Sequence, residues 1–180
     1  MTTLLKKRDK KSTKEFGVPE KSENGVHVAI SQDSRKKLSQ VLSLLLADTY
    51  ALYVKTQNFH WNVTGPQFPS YHKLFEEQYI ALSNANDEIA ERIRALHART
   101  PGSLTQFLKL TSLEEADNNL DAEKMAHELM LDHEQVAKSL GSLFKIAQDS
   151  HDDVTLDLFI RRKTEHDKFA WMLRSTSSIE

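Results

Sequence analysis

The sequence predicts an all-α fold, a bundle of four long helices. Three observations carry that reading. Glycine and proline are scarce, five and four in 180 residues, so turns are few and long helices are favoured over many short strands. Apolar residues recur at helical spacing through four long segments. One long connection separates the second segment from the third, and bundles tolerate one such crossover.

The first helix starts near Ser31 or Asp33, either of which can cap it. Leu38, Val41, Leu42, Leu45, Leu46, Thr49, Leu52 and Tyr53 keep one stripe along it. It runs to about 61–63 and stops at Gly65-Pro66. The second helix begins around Pro69-Ser70 and continues to about Ala98, on a stripe of Leu74, Phe75, Leu82, Ile89, Ile93 and Leu96. Pro101-Gly102 ends it. Within the connection 99–120, Ser112-x-x-Glu115 has the pattern of a capping box and predicts a short helix there. The third helix spans roughly 121–148, with Met125, Leu129, Val136, Leu140, Leu143 and Phe144 inward. The acidic turn Asp149–Asp153 leads to a fourth helix over 153–175. Four long helices with one crossover read as a ferritin-like bundle, occupying 26–180 and preceded by a mobile arm, 1–25, that lacks hydrophobic periodicity.

Composition narrows the chemistry. The length fits one domain with a real core. There is no cysteine, which excludes a disulfide framework, a thiolate metal site and a cysteine nucleophile. No run of about 18 apolar residues occurs, so no membrane span is expected. The charged N-terminus has no apolar segment behind it, unlike a secretory signal. A cytoplasmic protein is the default expectation. Net charge is −2, but residues 1–25 hold seven bases and four acids, +3 in all, which leaves −5 for the rest. A basic arm stands on an acidic body.

Most of the eight histidines have ordinary explanations. His127 and His133 lie on a charged stretch of the third helix, and His166 sits between Glu165 and Asp167, so these three read as solvated or locally bonded side chains. His60 and His72 differ. They bracket the break between the first two helices, and a short hairpin brings them to one end of the bundle, where imidazole pairs suit iron or zinc. Asp87 and Glu91, spaced i, i+4, project from one face of the second helix. Their bland reading is a surface acid pair neutralised by Arg92 or Arg94.

Distance then constrains the grouping. His72 and Asp87 are 15 residues apart on one helix, about 22 Å at about 1.5 Å per residue. Metal–ligand bonds are about 2 Å. The four residues can share a site only if a second subunit presents its carboxylates to the first subunit's histidines, which a two-fold pairing does twice. The alternative is a di-iron site inside one bundle, built on Glu-x-x-His. The residues three before each histidine are Asn24, Gln57, Pro69, Arg94, Lys124, Met130, Gln148 and Lys163. None is glutamate, so that site is not supported.

Asn58-Phe-His60-Trp61-Asn62-Val, then His72, Glu76 and Asp87-x-x-x-Glu91-Arg92, closely resembles the Dps family of mini-ferritins. Thr100-Pro-Gly-Ser103 and Asp167-Lys-Phe-Ala-Trp171 extend the resemblance over roughly 30–175. It implies a hollow homododecamer with ferroxidase sites at two-fold interfaces, where His60, His72, Asp87 and Glu91 bind ferrous iron and peroxide is the usual oxidant. It also implies Glu76 as a further carboxylate and Trp61 as an aromatic beside the iron, though Glu76 also reads as a solvent-facing acid and Trp61 as core. Zinc suits the same ligand set. The resemblance places three-fold pores, through which iron enters, near Asp149, Asp152, Asp153 and Asp157. An acidic helix N-terminus explains those residues too, and the roles do not conflict.

Some relatives bind DNA through lysine-rich arms, which Lys6, Lys7, Arg8, Lys10, Lys11 and Lys14 resemble. Any such binding is sequence-independent and salt-sensitive, since no base-reading motif is present. A nucleoid-associated location follows if it holds. The expected function is ferrous iron oxidation and storage that protects DNA. The alternative is a structural nucleoid-compacting protein whose metal site is vestigial or holds zinc.

Overall fold

A computed structural model describes residues 29–117 and 119–176. The basic arm 1–25, with Lys6, Lys7, Arg8, Lys10, Lys11 and Lys14, lies outside those residues. Five helices follow in order: α1 (Gln32–Asn62), α2 (Phe68–Ala95), α3 (Leu104–Leu110), α4 (Ala122–Asp149) and α5 (Asp153–Arg174).

Their ends follow from local chemistry. Ser31 Oγ accepts from the Ser34 amide and starts α1. Gly65, at φ 107°, makes the turn after it; a side chain at that φ would be strained. A proline in its first turn starts α2 where a missing amide costs nothing. The helix stops slightly earlier than Ala98, because His97 enters the left-handed region at φ 62°. Asp121 caps α4 and Asp152 caps α5.

The short helix is a correction. It is not at 112–115 but at Leu104–Leu110, where Ser103 and Gln106 form the reciprocal box. Ser112 is committed elsewhere. Its amide and hydroxyl donate to the buried Asp48 at 2.6 and 3.1 Å, and Thr111 Oγ1 donates to the same carboxylate at 2.9 Å. A serine spent on a tertiary contact cannot cap a helix.

α1 packs chiefly against α2, and α4 against α5, while α1 also meets α3 and α4. The two hairpins enclose Leu38, Leu42, Leu52, Phe59, Phe75, Leu82, Ile89, Ile93, Leu129, Leu140 and Phe159, each at most 1% exposed. Each such side chain is worth about 1.5–3 kcal/mol on burial. The interior also holds charge. Lys55 of α1 bridges Glu128 and Asp132 of α4, both at 2.8 Å. Burial alone would lower the Lys55 pKa, but its bonds to Asp132 and Glu128 outweigh that and raise it. No described helix is long and apolar enough to cross a membrane.

Candidate metal centre

The last turn of α1 carries His60 and the first turns of α2 carry His72. The two imidazoles stack, with centroids 3.8 Å apart and planes 21° from parallel. His60 Nδ1 lies 2.8 Å from the His72 carbonyl, and His72 Nδ1 lies 2.9 Å from the His60 carbonyl. A carbonyl can only accept, so each Nδ1 carries the hydrogen and donates it. Each Nε2 therefore keeps its lone pair. Fixing one ring nitrogen to free the other is how proteins prepare histidine to bind metal. The exchange also satisfies the His60 carbonyl, one of those that the end of α1 leaves without a helical partner. Tyr79 packs edge-on against His60 at 5.1 Å, and Phe68 covers His72 at 4.9 Å. His60 is buried and His72 half-buried.

Glu76 stands one turn beyond His72 and accepts from Lys73 Nζ at 3.1 Å. That bond, then the Lys73 charge, holds its carboxyl below the usual range, and His60 and His72 add smaller contributions. Trp61 is not core. It is 67% exposed, beside the histidine pair in sequence.

Asp87 and Glu91 are exposed one turn apart on α2. The arginines that could neutralise them are engaged elsewhere. Arg92 Nη2 donates to both oxygens of Asp152 at 2.7 and 2.6 Å, and its Nε donates to Thr155 at 2.8 Å. Arg94 donates to the Ala98 carbonyl at 2.7 Å. Among the described residues neither Asp87 nor Glu91 enters an ion pair. α2 is one unbroken helix of 28 residues, so the carboxylates stand about 22 Å along it from His72. The structure thus brings His60 to His72, and leaves Asp87 and Glu91 together but apart from them. Among the described residues, no three potential ligands of one chain converge.

The four candidate pore carboxylates separate as well. Asp149, Asp153 and Asp157 are exposed, with Asp149 on Lys145 and Asp157 on Arg161. Asp152 is turned inward, 3% exposed, and held by Arg92 and Thr155. Burial raises its pKa, but the bonds from Thr155 and Arg92 outweigh that and lower it.

His133 and His166 are a second correction. Both are fully buried, and their Nδ1 atoms lie 2.8 Å apart across α4 and α5. One Nδ1 must donate and the other accept, so the rings hold opposite tautomers. Neither Nε2 has a partner. Burial, with the Arg162 charge second, pushes the His133 pKa down to about 3. Burial, then His133 and Arg162, pushes His166 well below its ordinary value. The charged sequence around them masked a signal that was present. His133 sits in phase with Leu129, Val136 and Leu140, and His166 with Phe159, Phe169 and Leu173.

Comparison with known proteins places the fold in a family. The ferritin-like domain family matches residues 40–178. "DNA protection during starvation protein 2" of Bacillus anthracis is 40% identical over 78% of this chain and 96% of its own length. Dps from Staphylococcus aureus superposes with a TM-score of 0.78 at 38% identity, covering 84% of this chain and 100% of that one. Dps from Vibrio cholerae O1, described as a member of a broad superfamily of ferritin-like diiron-carboxylate proteins, gives a TM-score of 0.78 at 29% identity. That match covers 81% of this chain and 92% of the other.

Proposed function

Since the chain belongs to the ferritin-like family and within it to the Dps mini-ferritins, we propose that it oxidises ferrous iron at sites shared between subunits and stores the ferric product in a hollow dodecamer. The observation that carries this reading is the reciprocal His60–His72 exchange, which leaves two Nε2 lone pairs free at one end of the hairpin. The uncommitted Asp87 and Glu91 supply the complementary half. A two-fold pairing of subunits presents each chain's carboxylates to the other's histidines and builds two sites at once.

The ligand set suits the reaction. Ferrous iron accepts mixed nitrogen and oxygen donors. The carboxylates favour the more highly charged ferric product. Two ferrous ions give two electrons to one peroxide, which takes up two protons and leaves as two waters, so no hydroxyl radical is released. Glu76, ionised beside the histidines, adds a further oxygen donor once Lys73 is displaced. The exposed Asp149, Asp153 and Asp157 gather ferrous ions where the assembly admits them. DNA is protected by the removal of both iron and peroxide, and the basic arm adds phosphate contacts in many copies.

His60→Ala and Asp87→Ala, made separately, each abolish peroxide-dependent iron oxidation followed by absorbance, and leave the assembly mass unchanged. Unchanged kinetics in either variant refute the site. DNA compaction with no oxidation above background in the wild type, and zinc retained after purification, would instead mark a structural nucleoid protein.

A further inference from the structure

The end of the bundle opposite the histidine pair carries a second feature. The first turns of α1 and the segment 96–101 enclose a groove of about 1010 Å³. Arg35 and Lys36 line it from α1, and His97 and Arg99 from the turn after α2. Arg35 is 8% exposed, and its buried Nε has no partner. Nor does Arg35 form an ion pair among the described residues. A buried guanidinium without a counter-charge is costly.

The surrounding chemistry is cationic. Asp33 is the one carboxylate lining the groove, against Arg35, Lys36 and Arg99. That is three positive charges against one, on a body whose residues beyond the arm sum to −5. The N-terminus of the 31-residue helix α1 adds partial positive charge at the same place. The opposing carbonyls at the end of α2 are covered. Those of Arg92, Arg94 and Ile93 accept from the amides of Leu96, His97 and Ala98, and Arg94 covers that of Ala98.

We propose that this groove binds phosphate oxyanions, taken either from a nucleic-acid backbone or from free phosphate. A guanidinium fork matches two phosphate oxygens, and a lysine supplies a point charge. A single carboxylate leaves the excess charge of the groove half-compensated, whereas one free phosphate dianion, or two successive phosphodiesters of a strand at one negative charge each, balances it. The groove lies at the first turns of α1, near the first described residues of the chain. The site is nonetheless distinct from the arm and does not depend on iron chemistry.

The full-length chain carrying Lys36→Glu and Arg99→Glu tests this, since both side chains are exposed. Lys138→Glu with Lys168→Glu, exposed on α4 and α5 outside the groove, controls for net charge. Lys36→Gln with Arg99→Gln is the milder second pair. Binding of inorganic phosphate is measured by calorimetry, and binding of a short DNA duplex by titration at several salt concentrations. The groove variants are expected to bind phosphate at least tenfold more weakly than wild type and control. If the strand is the source, the slope of log affinity against log salt becomes shallower by about 2, near 0.9 for each lost phosphate contact. Loss of phosphate binding with unchanged DNA affinity supports the site and names free phosphate as its ligand. No phosphate binding by the wild type, groove variants equal to wild type, or equal weakening in the control overturns the proposal.

Discussion

Two histidine pairs in one chain show how little the residue type decides. His60 and His72 donate to backbone carbonyls and keep their outer nitrogens accessible. His133 and His166 bond to each other and are sealed from water. The second pair makes the fold sensitive to acid. Its folded pKa values lie below the unfolded one, so the unfolded chain takes up protons first as pH falls. Stability is complete above about pH 6.5, the ordinary histidine value, and declines as pH drops toward about 3, where folded His133 titrates. Replacing both rings with leucine removes the linkage with little cost near neutrality, because both polar partners leave together. Urea midpoints at pH 7.5 and pH 5 are therefore expected to differ less in His133→Leu/His166→Leu than in the wild type. An equal drop in both would locate the acid sensitivity elsewhere. His60 and His72 were legible as candidates because they flank a helix break. The reciprocal bonds between them were not, since they end on carbonyls that carry no sequence signature.

At the scale of the elements, the helices were readable because caps and stripes coincide. Ser31, read as a cap, sits before an apolar stripe and accepts an amide bond in the structure; Asp121 and Asp152, which the sequence reading did not single out as caps, do the same for α4 and α5. The short helix was misplaced because a capping pattern is a local signal, and Asp48 competes for the same serine from 64 positions away. That buried carboxylate ties the connection after α3 to the middle of α1. Asp48→Ala removes three charge-assisted bonds and is expected to cost about 2 kcal/mol, read from urea denaturation. Amide exchange at Ser112 and Leu113 rises with it. Protection unchanged in that stretch would show that the contact is incidental. The same competition explains Arg92. Its place in the sequence suggested a partner for Glu91, but capture by Asp152 and Thr155 across α2 and α5 prevails, and among the described residues Asp87 and Glu91 stay without an ion pair.

The isolated chain leaves large apolar side chains on its outside. Trp61, Leu104, Val154 and Trp171 are each more than 60% exposed, and such surface is usually covered by association. On the proposed assembly, sedimentation is expected to give a particle about twelve times the 20.6 kDa chain mass. A monomer at micromolar concentration would contradict it. On the proposed shared sites, the separation of His60 and His72 from Asp87 and Glu91 also has a genetic consequence. A chain lacking His60 and His72 and a chain lacking Asp87 and Glu91 are each inactive alone, yet each keeps what the other has lost. When the two are unfolded, mixed in equal amounts and reassembled, half of the pairs are mixed, and every mixed pair contains one intact site of two. About a quarter of wild-type oxidation should return. Two dead proteins would complement each other, which ligands gathered within a single chain could not allow.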